Sequence, residues 1–388
     1  MDSFVGTANA DTFTGVFDSG TPAARTLNAG DAIDGGAGVD TLKVIVTNAA
    51  GATTPLTGVA ITNVEKLSVQ NVSGQATSVN VQPIAGVTSV TSLNSTSDVN
   101  FQNLATGSEV VVSGSAQTGT VNFNQATATD AVKVTLNGGV NGVAVSASAG
   151  TATSAAINST GGANGAVAAD ALTLTGGTNT LTTLAVNADT SLRANLATAD
   201  FAVAGAALTV TGGAAVNLGN GGVFKTIDAS ANTAGLTVGL SAVTSSFKGG
   251  AGADVVTGTA VAAGATIDGG AGIDTVAATL INAGNSTAFK NFEQIDLAGF
   301  AAGGAANLDA ALLTGSTING VVISGAYGAG GLATLSNLVE TAAGFNVNVT
   351  GSGTNAATLG FTAASVAGTA DVLNGLAPTK PDTNSLLN

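Results

Sequence analysis

The sequence predicts an all-β protein whose chain winds into a right-handed parallel β-solenoid, or β-helix. Short runs alternate aliphatic residues with Thr, as half-buried strands do, and glycine pairs close several of them, as at 132–139, 172–177 and 208–213. A glycine-rich pattern of nine residues also recurs along the chain. The 55 Gly, against 13 Phe, one Tyr and no Trp, favour a thin and repetitive core over the core of a compact enzyme.

The nine-residue pattern is G-G-x-G-x-D-x-U-x, with U a large aliphatic residue, and it occurs at 35–43, 249–257 and 269–277. Glycines lack Cβ and can adopt the tight, left-handed turns that aim successive backbone carbonyls inward, while the Asp adds a carboxylate. Such an all-oxygen, anionic cage suits a hard cation, so the pattern predicts bound Ca²⁺. The U side chain points into a core between two short parallel strands, so each repeat forms half a coil.

These nonapeptides resemble the calcium-binding β-roll repeats of RTX proteins (hemolysin-type repeats). Their setting in a long Thr/Ala/Val/Gly/Asn-rich chain resembles the RTX-type surface-layer (S-layer) proteins of Gram-negative bacteria. The resemblance implies RTX-type calcium β-roll turns, type I secretion through an uncleaved C-terminal signal, and self-assembly into a two-dimensional lattice on the cell surface. It also implies a separate domain that grips lipopolysaccharide. No segment here matches such a domain, so anchoring is expected outside this chain.

The candidate calcium ligands are the glycines and aspartates of the three full repeats, the aspartates that directly precede two of them, and two more aspartates near the start. They are Asp11, Asp31, Asp34, Gly35, Gly36, Gly38, Asp40, Gly249, Gly250, Gly252, Asp254, Asp268, Gly269, Gly270, Gly272 and Asp274. Asp11 belongs to a degenerate repeat at 6–14 that loses two glycines. Solvated turn aspartates are the alternative, with more weight for Asp11 and Asp31 than for Asp34 and Asp40.

A second phrase, N-U-E-x-U-x-U, follows the first and last full repeats, at 63–69 and 291–297, and a weaker copy lies at 337–340. The repeating unit is therefore larger than the nonapeptide, since this phrase enters a predicted strand. Glu65 and Glu293 are predicted to accept backbone N–H bonds at the strand entrance, which is the commoner use of such a carboxylate. A role as calcium ligands is the alternative.

We divide the chain into five ranges. They are a calcium-binding β-roll-like start at 1–70, a low-charge Thr/Ala/Val/Gly-rich β-solenoid at 71–246, an RTX calcium β-roll at 247–300, a β-rich segment at 301–376 and a flexible tail at 377–388. Leu172 and Leu208 begin two similar alternating runs, and their spacing of 36 residues is interpreted as two coils of 18. Asn and Thr are expected to form polar ladders outside. A stack of antiparallel β-sandwich domains is the alternative, because its strand spacing is similar.

The last quarter of the chain carries weaker signals. Residues 308–313 and 332–343 are predicted to be short helices, and 378–382 to be a linker. Residues 368–375 have the form G-x-x-D-x-L without the glycine pair, so a calcium turn and an ordinary turn both remain open. The glycine-rich stretch at 323–331 lacks a P-loop Lys and a βαβ context, so nucleotide binding is not expected.

The composition excludes several classes of function. Acids outnumber bases 23 to 9, and the net charge of −14 would repel nucleic acid and anionic lipid surfaces. The chain has no Cys and no His, which excludes disulfides, Cys-ligated zinc, H-E-x-x-H proteases and Ser-His-Asp hydrolases. No run of 18 apolar residues is present to span a membrane, and the first residues lack the features of a secretory signal.

The sequence therefore predicts a structural protein and not an enzyme. The resemblance to RTX-type S-layer proteins implies that it is secreted, lies on the extracellular cell surface and uses Ca²⁺ to assemble with copies of itself into an S-layer lattice. The alternative is a secreted RTX adhesin or a glycan- or ice-binding β-solenoid module, although its T-x-T ladders are interrupted by Ala, Ser and Gly. A polysaccharide-modifying β-helix would need a constellation of acids, bases and aromatic residues that the sequence does not contain.

Overall fold

The computed structural model describes residues 1–219, 222–300, 306–325, 333–338, 345–349, 357–361 and 372–375. Within these ranges the regular structure consists of 33 β-strands and five one-turn 3₁₀ helices, with no α-helix. Val, Thr and Ile recur in the strands, and these β-branched residues fit an extended, half-buried chain. No helix within the same ranges is long and apolar enough to cross a membrane.

The chain divides into two compact units. The first comprises Met1–Leu208 with Val216–Gly219, and the second comprises Thr209–Ala215 with the described residues from 222 onward. The strands that begin in the first unit are β1 (Ser3–Val5), β2 (Thr12–Asp18), β3 (Ala32–Asp34), β4 (Thr41–Thr47), β5 (Ala60–Thr62), β6 (Lys66–Asn71), β7 (Thr77–Asn80), β8 (Ser89–Leu93), β9 (Val99–Leu104), β10 (Glu109–Ser113), β11 (Val121–Gln125), β12 (Val132–Asn137), β13 (Ala144–Ala147), β14 (Ser154–Thr160), β15 (Asp170–Thr173), β16 (Thr183–Ala188), β17 (Leu192–Leu196), β18 (Ala206–Gly212) and β19 (Val216–Asn217).

The second unit continues the same kind of structure with shorter strands. They are β20 (Phe224–Asn232), β21 (Leu236–Leu240), β22 (Ser246–Lys248), β23 (Val255–Gly258), β24 (Thr266–Asp268), β25 (Thr275–Ala277), β26 (Phe289–Lys290), β27 (Gln294–Asp296), β28 (Ala306–Asp309), β29 (Gly320–Ile323), β30 (Ala333–Leu338), β31 (Asn346–Val349), β32 (Ala357–Phe361) and β33 (Val372–Gly375). The 3₁₀ helices are Pro22–Ala24, Thr198–Asp200, Ala278–Leu280, Ser286–Ala288 and Ala310–Leu312.

Each strand pairs with the strand two places along the chain, and the described pairs are all parallel. In the first unit β2, β4 and the following even-numbered strands up to β16 form one sheet, the odd-numbered strands from β7 to β19 form another, and β1, β3 and β5 form a third. In the second unit β20, β22, β24 and β26 form one sheet, the odd-numbered strands from β21 to β33 a second, and β28, β30 and β32 a third. This topology is a parallel β-solenoid of about 12 turns. It confirms the predicted solenoid and contradicts the antiparallel sandwich alternative.

The length of one turn differs from the prediction. Leu172 on β15 is in register with Leu196 on β17, which lies 24 residues later, while Leu208 lies on β18 in the other sheet. The 36 residues between Leu172 and Leu208 therefore span one and a half turns, and the predicted coil of 18 residues is wrong. The error arose because strands of both sheets carry the same alternating pattern and end in the same glycine pairs, so runs on opposite sheets look equivalent in sequence.

The core is a set of columns of aliphatic and Phe side chains between the sheets. On β4 the alternation places Leu42, Val44 and Val46 inward, each with 0% of its surface exposed, while the residues between them face outward and are half-buried. In the second unit one column follows the register of β20, β22, β24 and β26, and it consists of Ile227, Phe247, Ile267 and Phe289. Since neighbouring turns bury the inward face of each turn, no turn is expected to be stable alone.

Neither of the two predicted helices in the last quarter forms an α-helix over its described residues. Residues 306–309 form β28, and only Ala310–Leu312 forms a 3₁₀ helix, of a single turn. At its start the Ala311 N–H donates a hydrogen bond to Asp309 Oδ1. Residues 333–338 form β30, paired with β28 and β32, because parallel neighbours supply the hydrogen bonds that an extended chain needs. The first half of the candidate turn at 368–375, the linker at 378–382 and most of the glycine-rich stretch at 323–331 lie outside the described residues.

Candidate functional site

The nonapeptide turns lie where the chain passes from one sheet to the other. In the first unit the turn at 35–40 connects β3 to β4, and in the second unit the turns at 249–254 and 269–274 connect β22 to β23 and β24 to β25. Backbone hydrogen bonds stack each turn on its neighbours: Gly35 N–H donates to Thr62 O at 3.0 Å and Thr41 N–H to Asp11 O at 2.9 Å. The aliphatic residues after the turns, Leu42, Val256 and Val276, are fully buried, as the pattern predicts.

Glycine is required in these turns by close approach as well as by backbone conformation. A Cβ placed on Gly35 would overlap Asn63 O in the next turn, and a Cβ placed on Gly269 would overlap Asn291 O in the same way. Gly36 adopts a φ of +89°, which lies in the left-handed region that side chains disfavour. The glycines therefore let a backbone carbonyl of the following turn come up against the turn.

Replacing Gly35 by Ala is expected to destabilise the protein by about 2 kcal/mol or more, because the overlap involves backbone atoms that cannot move aside. Gly51→Ala is the matched control, since a Cβ at Gly51 meets nothing within 4 Å and its φ is not positive. Denaturant unfolding of both variants measures the difference. Equal stabilities of the two variants would contradict the described packing of the turn.

A series of carboxylates links the turns of the second unit. Asp254 Oδ1 accepts the Leu236 N–H at 2.6 Å, Asp274 Oδ1 accepts the Asp254 N–H at 2.7 Å, and Glu293 Oε2 accepts the Asp274 N–H at 2.8 Å. We call this series the carboxylate ladder. Each carboxylate accepts a hydrogen bond from the backbone N–H of the residue that occupies the same position in the preceding turn, about 20 residues earlier.

The first unit contains a shorter carboxylate ladder of the same kind. Asp40 Oδ1 accepts the Asp11 N–H at 2.7 Å, and Glu65 Oε2 accepts the Asp40 N–H at 2.8 Å. Glu65 and Glu293 therefore accept backbone N–H bonds just before β6 and β27, as their sequence context predicts. Each carboxylate ladder therefore ends at the Glu of an N-U-E phrase, which takes the position that Asp has in the nonapeptides.

The second oxygen of two ladder carboxylates has no partner. Asp40 Oδ2 and Asp274 Oδ2 are buried, and neither makes a hydrogen bond within the described part of the chain. Both residues have 0% of their surface exposed. A buried carboxylate oxygen without a donor is costly, since it has lost its water and gained nothing in exchange. The same oxygen therefore lacks a donor in two of the three full repeats, while in the third Asp254 Oδ2 accepts the Gly250 N–H at 2.8 Å.

Backbone oxygens face these two unpartnered atoms. The position that a Cβ would take on Gly35 is 2.8 Å from Asp40 Oδ2 and lies directly against Asn63 O. The equivalent position on Gly269 is 2.9 Å from Asp274 Oδ2 and lies against Asn291 O. A carboxylate oxygen and the carbonyl oxygen of the next turn thus both lie close to each of these two glycines.

The electrostatics at the second unit's turns also point to a positive group. The pKa of Asp274 is raised to about 7, chiefly by burial and also by the neighbouring carboxylates of Asp254, Glu293 and Asp268, while the hydrogen bond from the Asp254 N–H lowers it. Burial likewise raises the pKa of Asp254. Negative charges gathered in a buried site favour protonation of the carboxylates. A divalent cation bound among them would favour the ionised carboxylates instead.

The atoms that could ligate a metal beside these glycines are of the kind that calcium prefers. They are oxygen atoms only, one carboxylate oxygen with backbone carbonyls, and such a set suits a hard cation better than a transition metal. No group of three or more Asp, Glu, His or Cys side chains that could hold a metal forms within the described residues. Backbone carbonyls of the glycine turns would therefore have to supply most ligands.

The aspartates that precede two of the glycine pairs accept hydrogen bonds through Oδ1. Asp34 Oδ1 accepts the Gly36 N–H at 3.1 Å and the Asn63 Nδ2–H at 2.8 Å, and these bonds, Asn63 first, lower the pKa of Asp34. Asp268 Oδ1 makes the equivalent pair of bonds with Gly270 and Asn291. Both carboxylates thus join neighbouring turns at the strand ends.

The asparagines of these pairs were missed by the sequence reasoning as functional residues. Asn63 and Asn291 have φ values of 52° and 55°, and Asn is the residue besides Gly that best tolerates this left-handed conformation. Asn337, in the weaker third copy of the phrase, has a φ of 54° and donates to Asp309 Oδ1 at 2.8 Å. The Asn that begins each N-U-E phrase is the sequence signal that identifies these residues.

Asp11 and Asp31 lie in different places. Asp11 belongs to the turn stacked on 35–40, and its Oδ2 accepts the N–H and hydroxyl of Thr7. Asp31 stands before β3, away from the glycine turns, where its carboxylate accepts the Asp2 N–H at 2.9 Å and the Asn28 N–H at 2.8 Å. These backbone donors lower the pKa of Asp31. The structure thus brings Asp11, but not Asp31, to the stacked turns.

A third buried carboxylate oxygen, Asp170 Oδ2, also lacks a partner among the described residues and lies outside the nonapeptides. Burial raises the pKa of Asp170 from 3.8 to about 6, although Oδ1 accepts the Val143 N–H at 2.9 Å. Because the folded state holds this proton more tightly than the unfolded state, Asp170 lowers stability progressively as pH rises from about 4 to about 6, and the full penalty remains above that range.

Asp170→Asn keeps an acceptor for Val143 and removes the buried charge. The variant is expected to be more stable than the wild type by up to about 3 kcal/mol at pH 7.5 and nearly equal to it at pH 4. Urea unfolding of both proteins at the two pH values measures this difference. A difference that does not change with pH would show that Asp170 does not titrate as described.

No protein-family model matches the chain, and a search of curated proteins finds no match.

Proposed function

We propose that this chain is a calcium-stabilised structural β-solenoid that is secreted to the surface of a Gram-negative bacterium and assembles with copies of itself into an S-layer lattice. The observation that carries the proposal is the pair of buried, unpartnered oxygens Asp40 Oδ2 and Asp274 Oδ2 beside backbone carbonyls. They occupy the Asp position of the full nonapeptide in both units.

The calcium part of the proposal follows from charge and solvation. Each unpartnered oxygen needs a positive group, and no Lys or Arg side chain bonds to either one within the described residues. Ca²⁺ would be held by Asp40 and carbonyls of the turns at 35–38 and 63 in the first unit. In the second unit Asp274 and carbonyls of the turn at 269–272 and of residue 291 would hold it, because both oxygens of Asp254 already accept N–H bonds, from Leu236 and Gly250. The ion would neutralise the carboxylates and join successive turns.

The structural role is supported by the rest of the chain. Only 8% of its residues are charged, and its outward strand positions carry mainly Thr, Ser, Asn and Ala, which favours packing of copies with little desolvation of charge. The surface-layer location rests on the resemblance of the nonapeptides and their setting to RTX-type S-layer proteins.

Electron microscopy of the purified chain in calcium and in chelator tests the proposal. We expect ordered two-dimensional sheets in millimolar calcium and their loss in chelator. Calcium-bound protein that stays monomeric at every concentration would contradict the lattice, and would favour the adhesin interpretation of the same fold.

A further inference from the structure

A polar groove crosses one sheet of the first unit, far along the chain from the nonapeptide turns. It runs over β9, β11 and β13 and has a volume of about 570 Å³. Its side chains that face solvent are amides and hydroxyls, from Asn100, Gln102, Asn122, Asn124, Ser146 and Ser148. None of the residues that line it is ionisable, although the chain as a whole carries a net charge of −14.

A β-bulge lies within the groove. Phe101 pairs with Phe123, but Leu104 pairs with Gln125, so β9 contains one more residue than β11 over this stretch. Asn103 absorbs the extra length with a φ of 57°. Bulges of this kind bend a strand and redirect its side chains, and they often lie beside binding sites. Asn103 is itself one of the residues that line the groove, so the bulge lies within the site.

The amides of the groove are aligned by one another and keep free hydrogen-bonding capacity. Asn122 Nδ2–H donates to Asn100 Oδ1 at 2.8 Å, and Asn100 Nδ2–H donates to Ser78 Oγ at 3.3 Å. Each of these amides still has a second N–H for a ligand. The exposed Gln102 side chain also faces the groove. The surface thus offers donors and acceptors together on a fixed, repeating frame.

We propose that this groove binds a neutral polysaccharide. Sugar hydroxyls both donate and accept hydrogen bonds, as the amides and Ser hydroxyls of the groove do. A ligand that only donates or only accepts would match this surface less well. The absence of basic residues in the groove and the acidity of the chain disfavour anionic glycans. Because neighbouring strands lie about 4.8 Å apart, comparable to the length of one pyranose ring, a glycan lying across the strands meets equivalent side chains at successive sugars.

The floor of the groove explains why a polymer is favoured over a single sugar. Phe101 and Phe123 turn inward, with 0% and 4% of their surfaces exposed, so neither ring offers a face for stacking. Binding therefore depends on many weak hydrogen bonds, each worth little in water. Affinity is expected to rise with the number of sugar units until the ligand spans the three strands.

The test uses the full chain and a panel of neutral oligosaccharides, cello-, malto- and manno-oligosaccharides of two to six units, with oligogalacturonate as the anionic comparison. Calorimetry or NMR titration is expected to show saturable binding of at least one neutral series, tighter with length, and at least tenfold weaker binding of the anionic series. Amide shifts should be confined to residues around the groove.

Gln102→Ala combined with Asn122→Ala is expected to weaken this binding at least tenfold. Asn158→Ala is the matched control, because Asn158 forms a similar outward bond to Thr135 on the other sheet of the same unit. Unchanged melting of both variants shows that the fold is intact, and the map of shifted amides in the wild type tests the site even if a variant is destabilised. No binding to any neutral series, stronger binding of oligogalacturonate, or equal effects of the two variants would overturn the proposal.

Discussion

Replacing Asp274 by Ala is expected to abolish most of the calcium-induced stabilisation of the second unit. The substitution removes the carboxylate whose Oδ2 is buried without a partner and whose Oδ1 accepts the Asp254 N–H. For a site with a Kd near ~10⁻⁴ M, calcium at about 10 mM contributes about 2.7 kcal/mol, and this is the loss expected for each independent site. Calorimetric calcium titrations should also show a lower stoichiometry.

Two further variants isolate the role of the charge. Asp228→Ala is the matched control, because Asp228 Oδ1 is satisfied locally by the N–H and hydroxyl of Ser230 and lies before the glycine turn. It should respond to calcium as the wild type does. Asp274→Asn retains an acceptor for Asp254 and should keep its stability in chelator while losing the response to calcium. Wild-type stoichiometry and affinity in Asp274→Ala would mean that the nonapeptides act only as glycine turns.

Phe247→Ala is expected to cost about 3–5 kcal/mol of stability, and so to lower the melting temperature by several degrees or more. Phe247 has 1% of its surface exposed and stands between Ile227 and Ile267 in a column that continues to Phe289. Each turn of a solenoid buries its inward side chains only against the adjacent turns. A cavity at this level therefore weakens the contacts of two neighbouring turns at once.

Ile273→Ala is the control for side-chain truncation without loss of core. Ile273 has 58% of its surface exposed at a variable position of the nonapeptide, so its removal should change stability by less than about 0.5 kcal/mol. Both variants are to be unfolded in chelator, which separates packing from cation binding. Similar losses for Phe247→Ala and Ile273→Ala would contradict the described core.

Local features of the chain were predictable because each depends on a few adjacent residues. The glycine turns, the burial of Leu42, Val256 and Val276, and the strand entrances at Glu65 and Glu293 all follow from period-two alternation and from the conformations that only glycine adopts easily. The stacking of Asp254 and Asp274 one turn apart also follows, since two copies of one motif 20 residues apart must share a register.

Features that depend on which strands become neighbours were not predictable. Leu172 and Leu208 look like equivalents in sequence, yet they lie on opposite sheets, because both sheets bury similar residues. Residues 333–338 form a strand because β28 and β32 pair with it, which no local pattern records. The bulge at Asn103 depends on a mismatch in length between β9 and β11 and leaves no motif.

Thermal unfolding of the full chain in calcium and in chelator tests the central claim most directly. Calcium at about 10 mM should raise the melting temperature of the wild type, with a saturable dependence on calcium concentration and a much smaller effect of magnesium at the same concentration. The physical reason is the buried carboxylate oxygens of Asp40 and Asp274, which have no hydrogen-bond partner among the described residues and which the proposed cation would neutralise. Coincident melting curves in calcium and in excess chelator would contradict the account.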